Sequence, residues 1–292
     1  MTAPPMPAPD DVVAGVAEAF RRACRAELQA MKPGNVHVFA PGHRMQVADF
    51  ERSAEAAAPF VARRGARVGQ RVHDAMAATL SAVGQNTNLG ILLLAAPLAA
   101  AARRSTPGGL RPALGAVLGG LDVADADAAF AAIRLANPGG LGGSPQHDVR
   151  EPASVGLRQA MAAARGRDRI AEQYAGGYAD IFDFGLPELR LALARWRDEA
   201  WATASLYLLF LARFPDSHVA RKFGIDAAEA LRRRAEPIAQ ALRSAERPTV
   251  LQTRLLAFDA ELKAAGLNPG TSADLTVATL FAHRLEAGLA AP

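Results

Sequence analysis

The residues best equipped for chemistry fall in short polar clusters set between Ala- and Leu-rich helical stretches. The first is Lys32-Pro33-Gly34-Asn35-Val36-His37. Lys32 offers a point charge for a phosphate, with Asn35 and His37 as hydrogen-bonding or metal-side partners. A lysine before Pro-Gly is also what a helix end favours, so both readings stay open at this position. His37, His43 and Asp49 fall within thirteen residues, a looser spacing than zinc sites usually show.

The second cluster, Asn86-Thr87-Asn88, precedes an apolar run. One asparagine suffices to cap the following helix. Two in three positions exceed that need, and a helix N-terminus is a natural anion site. Asp180 and Asp183 stand three apart at an expected helix end, where the dipole disfavours carboxylates; a neighbouring cation, either arginine or Mg²⁺, would offset that, and a solvated turn is the other reading. Asp216-Ser217-His218 with Arg221 and Lys222 puts acid and base on adjacent turns, a pattern that ordinary surface pairing also produces. In Asn268-Pro269-Gly270-Thr271-Ser272-Ala273-Asp274, Asp274 reads either as a site carboxylate or as the N3 partner of a Thr271 cap.

These clusters need rigid elements behind them, and the pattern is helical throughout. Val12, Val13, Val16, Phe20, Cys24 and Leu28 mark one face of a helix from Asp10 to before Pro33. Further helices are expected at 49–63, 66–83, 88–103, 110–119, 124–136, 152–164, 168–180, 186–213, 217–223, 226–245, 249–265 and 272–288. Asp226 and Glu229 fit a capping box, and Gly266 a helix stop. Leu89 to Ala102 is an apolar run of fourteen residues, short of the ~18–20 that cross a bilayer, and reads as a buried core helix. No alternating β pattern and no fixed-period repeat occur. The expected fold is all-α, one multi-helix bundle over 10–292 around a buried central apolar helix. Residues 1–9 read as a disordered Pro/Ala tail, and 137–147 as a Gly-rich loop within the domain.

Half of the 292 residues are hydrophobic but only 6% aromatic, and the net charge is +4. The positive charge is dispersed arginine mixed with acids, which fits a small polyanionic ligand as well as nucleic acid; Arg232-Arg233-Arg234 reads as a solvated helix face. The single cysteine, Cys24, leaves no intrachain disulfide and no cysteine-based metal cluster, and reads as a core residue. The glycine loop lacks the Gly-Lys-Ser/Thr of a phosphate-binding loop and follows no strand. Hydrolase-elbow, zinc-protease and kinase signatures are absent. No leader pattern opens the chain, so a soluble cytoplasmic protein without nucleic-acid or membrane partners is expected.

In this order the clusters resemble the triphosphoribosyl-dephospho-CoA synthase family, all-helical proteins associated with prosthetic-group assembly for citrate lyase and malonate decarboxylase. The matching features are Glu27 and Lys32-Pro33-Gly34-Asn35-Val36, then Asp49-Phe50 with Ser53-Ala54, then Asn86-Thr87-Asn88 with Gly90. Asp216-Ser217 with Arg221-Lys222 and Gly224 follows, and Asn268-Pro269-Gly270 with Ser272-Ala273-Asp274-Leu275 closes the set. Members acting on citrate lyase typically read Asn-Thr-His-Lys-Gly where this chain has Asn88 and Leu89, and Asn-Pro-Gly-Gly where it has Thr271.

The resemblance implies ribosyl transfer: the 2′-hydroxyl of 3′-dephospho-CoA attacks C1′ of ATP and adenine leaves. Such a reaction passes through an oxocarbenium-like state, so carboxylates should act as base and stabiliser. On this reading His37, Asp49, Asp216 and Asp274 are catalytic candidates. Lys32, Asn35, Asn86, Asn88, Arg221, Lys222 and Ser272 bind substrate, and Asp180 and Asp183 hold Mg²⁺ with the triphosphate. Lys32, Asn35, Asn86, Asn88, Asp216 and Asp274 should converge on one cleft. The alternatives are a divergent nucleotide-transfer enzyme of another cofactor pathway, such as C1-carrier pterin synthesis, and a non-catalytic helical nucleotide-binding protein.

Overall fold

The computed structural model describes residues 9–43, 45–105, 109–139, 143 and 146–290. Among them are fourteen α-helices and no strand, with two isolated β-bridges in the loop at His37–Ala40 and Gly42–Met45. The first eight helices are α1 (Pro9–Gln29), α2 (Val47–Val61), α3 (Val68–Val83), α4 (Leu89–Ala102), α5 (Leu110–Gly119), α6 (Val123–Ala136), α7 (Leu157–Ala164) and α8 (Arg169–Gly176). A π-helical turn, Asp180–Gly185, leads into α9 (Leu186–Trp196), α10 (Glu199–Arg213), α11 (Ser217–Phe223) and α12 (Ile225–Ser244). A 3₁₀ turn, Pro248–Leu251, precedes α13 (Gln252–Ala264) and α14 (Gly270–Ala290).

The axis of the fold is α4, in which every residue except Gly90 and Ala100 is buried. It packs against α3, α5 and α14, and its many alanines let those helices approach closely. Pro97 lies inside this helix. A proline has no N–H, so the carbonyl four residues back, at Leu93, loses its helical donor. The Tyr174 hydroxyl of α8 donates to that carbonyl at 2.6 Å, and Tyr178 donates to the Leu94 carbonyl at 3.0 Å. A buried carbonyl that would be orphaned is thereby satisfied, and α8 is fixed against α4.

A second apolar cluster gathers Met31, Val219, Leu231, Leu242, Phe258 and Leu262. Helix α10 serves both clusters, turning Leu206 and Phe210 to the α4 core and Tyr207, Leu208 and Leu211 to the other. Cys24 is a buried member of the α4 core, where burial pushes its thiol up and out of the reactive range.

The expected helices match these elements with four differences. The stretch read as 186–213 breaks at Arg197, whose φ is +51°, because Asp198 caps a new helix by accepting from Trp201 N. The stretch 168–180 stops at Gly176, followed by Gly177 and Tyr178 at positive φ. Asp226 is no N-cap: Gly224 holds that position at φ +87°, and Glu229 pairs with Arg232 instead. The 152–164 helix starts only at Leu157. Of the expected tail only Pro9 is described, and it opens α1; residues 140–142 and 144–145 of the glycine loop lie outside the described set.

Tyr174→Phe keeps the ring and strands the Leu93 carbonyl. It is expected to cost about 1–3 kcal/mol in denaturant unfolding, the price of an unsatisfied buried acceptor; an unchanged midpoint would mean the carbonyl finds another partner.

Candidate active site

Helix starts are brought together by one buried carboxylate. Asp216 Oδ1 accepts from the His218 and Val219 amides, capping α11, while Oδ2 accepts from the Ser272 amide at 2.8 Å and its hydroxyl at 2.9 Å. The first turn of α14 is thus bound by Asp216 and not by a Thr271–Asp274 cap. Ser217 Oγ also accepts from the Arg169 amide at 3.0 Å, so α8 starts at the same place. Burial pushes the Asp216 carboxyl up, and its four hydrogen bonds pull it back.

The Lys32 cluster forms the neighbouring wall. Lys32 is 1% exposed and pairs with Glu27 at the end of α1, while its Nζ donates to Asn35 Oδ1 at 2.9 Å. Asn35 Nδ2 donates to Asn268 Oδ1 at 2.8 Å, joining this loop to the start of α14. Gly34, at φ +83°, packs so tightly on Pro269 and Leu262 that an added Cβ would meet both at about 3 Å. Asp259 accepts from the Gly34 amide, and Lys263 donates to the Ala40 carbonyl, holding the loop from α13.

These elements enclose a cavity of about 530 Å³, the size of one small-molecule site. Asn35, Asn86, Asn88, Arg221, Lys222 and Asp274 line it. Lys32 and Asp216 sit directly behind, through Asn35 and through the α11–α14 junction. Asp274 makes no hydrogen bond or ion pair with the described residues. One flank opens to the cavity and protein surrounds the rest. Burial, then the negative charges of Asp216 and Glu27, raise its carboxyl well above the ordinary value. Its Oδ2 lies where a Cβ on Gly90 would stand, at 2.0 Å, so glycine is what lets α4 meet this carboxylate.

Cations face it. Arg221 donates to Asp168 at 2.7 Å while its Nε is buried and unpartnered, and Asp168 caps α8. His218 also lines the cavity; burial and the charges of Arg221 and Lys222 lower its pKa to about 4, so the ring is neutral at pH 7. Asn88 holds the N-cap position of α4 without a side-chain capping bond, and Asn86 Oδ1 accepts from the Leu89 amide at 3.1 Å in its place. Asn88 is released from capping: its Nδ2 donates to Thr79 and its Oδ1 is buried without a partner.

The family model described as CitG, ATP:dephospho-CoA triphosphoribosyl transferase, matches residues 14–292. The chain belongs to the CitG family. An Azotobacter vinelandii protein named "Probable 2-(5''-triphosphoribosyl)-3'-dephosphocoenzyme-A synthase" is 33% identical over 150 residues, 51% of this chain and 47% of that one. A Stutzerimonas stutzeri protein of the same name is 27% identical over 226 residues, 77% of this chain and 70% of its own. The match thus spans less than half of the first relative's length. A crystal structure from Archaeoglobus fulgidus, under the name triphosphoribosyl-dephospho-coA synthase, superposes with a TM-score of 0.59 at 24% identity, over 80% of this chain and 97% of that one. That likeness carries the fold.

Other expected residues of this CitG-family chain lie away from the cavity lining. Asp49 closes a capping box at the start of α2 and pairs with Arg52. His37 is buried, 3.4 Å from Asp259 Oδ1. Asp180 accepts from Arg169 Nε and Nη2, each at 2.7 Å, and Arg169 stacks on the Phe214 ring at 3.6 Å. Asp183 is clasped by Arg111 at the surface. The cation expected beside these carboxylates is therefore arginine in each case, and a paired metal site at 180 and 183 does not match this geometry. Among the described residues no group of three His, Cys, Asp or Glu is placed to hold a metal. Asp168, Glu27 and Asn268 border the cavity without having been singled out as site residues; Asp168 is also the cap of α8.

Two outcomes follow for this CitG-family protein. Lys32→Met is expected to cost about 3–5 kcal/mol, because it leaves Glu27 buried and unpaired, whereas adding Glu27→Gln recovers much of the loss; a small single-variant cost in urea unfolding would contradict this. The Asp274 carboxyl is raised in the folded chain, so between its unfolded value near about 4 and its folded value the folded state binds more protons. Its contribution to stability falls as pH rises through that window. Without nucleotide, Asp274→Asn should therefore melt above wild type at pH 8, with the gap closing toward pH 4.

Proposed function

We propose that this chain transfers the triphosphoribosyl group of ATP to the 2′-hydroxyl of 3′-dephospho-CoA, releasing adenine. The observation that carries the reading is Asp274: a carboxylate without a hydrogen-bond or ion-pair partner among the described residues, open to the cavity that Arg221, Lys222 and the N-termini of α4, α8 and α14 also border. Helix N-termini and arginine suit a triphosphate. Asp274 suits the sugar, where cationic character develops at C1′.

In the proposed step the acceptor oxygen forms a bond to C1′ as the C1′–N9 bond breaks, and adenine departs with the bonding pair. The acceptor's hydroxyl proton goes to Asp274, and adenine takes one from solvent or a polar neighbour. A carboxyl raised by burial is an effective base near working pH. Neutral His218 and the free carbonyl of Asn88 are hydrogen-bonding groups without a buried competitor. Asp216 and Ser272 act behind them, setting where α14 begins and so where Asp274 points. Lys32, whose charge is met by Glu27, orders Asn35 and Asn268 in the same way.

With Asp274 assigned to the proton and Asp168 paired with Arg221, a magnesium ion would be held chiefly by phosphate oxygens and water, as is usual for this ion. When bound it would neutralise triphosphate charge. The single-domain reading of 10–292 rests on α10 packing into both apolar clusters. No helix among the described residues is long and apolar enough to cross a membrane; the cytoplasmic place proposed rests on the use of ATP.

A second reading keeps the donor and changes the acceptor. Leu89, buried at the cavity wall, stands where citrate-lyase-associated members typically carry lysine, so an acceptor with fewer charges near α4 would be served. Incubation with ATP, Mg²⁺ and either dephospho-CoA or other hydroxyl acceptors, followed by chromatography for adenine, separates the two. Asp274→Asn should lower kcat by about 10²–10⁴-fold. Arg221→Met should weaken ATP by about ten- to a hundredfold, the loss of a charged hydrogen bond. Adenine release unaffected by Asp274→Asn would remove this carboxylate from the chemistry.

A further inference from the structure

The cavity is divided by chemistry. Its ionisable lining comes from the end of α1, the α7–α8 junction, α11, α14 and the loops. From α6 and α7 themselves only apolar side chains face it: Phe130, Ile133 and Ala136, then Ala160, Met161 and Ala164. Each is less than a tenth exposed, except Ala164, which is half-buried. Leu93 of α4 continues this surface, and Ile170 brings it close to Asp274, since both Ile170 Cδ1 and Asp274 Oδ2 lie within 3 Å of the Cβ position at Gly90. Beyond the C-terminus of α6 the wall ends at Gln146 and His147, which also line the cavity.

We infer that the α6–α7 wall seats the aliphatic pantetheine arm of the acceptor, an inference that rests on the function proposed above. A triphosphate belongs with Arg221 and Lys222, and the sugar with Asp274. Adenine leaves with a new lone pair on a ring nitrogen and requires hydrogen bonds at its edge. The wall supplies none from its side chains, whereas Asn86, Asn88 and His218 do. A ligand portion that fits six apolar side chains is one with methyl and methylene groups, and among the parts of ATP and dephospho-CoA only the pantetheine arm is of that kind. Its amides would lie toward the polar end at Gln146 and His147.

None of the six wall side chains is among the proposed catalytic groups, so binding and chemistry can be read separately. Affinities for ATP and for dephospho-CoA would be measured by calorimetry on wild type, Ile133→Asn and Met161→Gln. Both variants should weaken dephospho-CoA by about tenfold or more, the worth of burying one aliphatic side chain's apolar area, and leave ATP within about twofold. An unchanged ATP affinity also shows that the variants fold. Pantetheine alone should displace dephospho-CoA from wild type and leave ATP in place. Weaker ATP binding by either folded variant, unchanged dephospho-CoA affinity in both, or failure of pantetheine to displace dephospho-CoA would overturn the assignment. Absence of adenine release in wild type would sink the proposed reaction, and the affinity comparison would still decide what the wall binds.

Discussion

A single buried carboxylate, Asp216, determines where the functional residues stand. Its two oxygens take four donors, two from the start of α11 and two from Ser272 in α14. Carboxylates are costly to bury unless their lone pairs are met, and this one is met completely. The arrangement fixes two helix starts to each other across 56 residues of sequence. Because Asp216 has taken over the first turn of α14, Asp274 has no capping duty and keeps its carboxylate for the cavity.

Around that junction the remaining polar groups divide into those that support and those that are left open. Glu27 and Lys32 meet each other, Asp180 meets Arg169, and Asp168 caps α8 while holding Arg221. Among the described residues, Asp274, the Asn88 carbonyl and one Arg221 nitrogen remain without hydrogen-bond partners. In a well-packed interior, leaving such groups unmet is unfavourable, and the energy lost there is a reason to expect a ligand to meet them.

The helical architecture was legible because its signal is local and periodic: the face of α1, the apolar run of α4, and Gly266 ending α13. Where reading failed, the cause was a competing local rule. Asp198 carries a cap signal within an otherwise continuous helical pattern, and Gly224 displaced Asp226 from the cap because only a backbone at positive φ could make that corner. The site was legible in part. Asn35, Asn86, Asn88, Arg221, Lys222 and Asp274 reach one cavity although separated by up to 239 positions. Asp49 entered through the Asp49-Phe50 motif, and Asp180 and Asp183 through their spacing at a helix end. Nothing local says that Asp180 has Arg169 for a partner, since the pair forms only when the π-helical turn folds back on α8.

The segregation of the cavity lining has a consequence for how such a protein can change over time. Apolar positions on α6 and α7 tolerate exchange among similar volumes at small cost, usually below about 1.5 kcal/mol. The polar positions at the α11–α14 junction are locked by shared hydrogen bonds and do not vary one at a time. Drift is therefore channelled toward one face of the cavity, so descendants of this chain can explore new acceptors while inheriting the donor end intact.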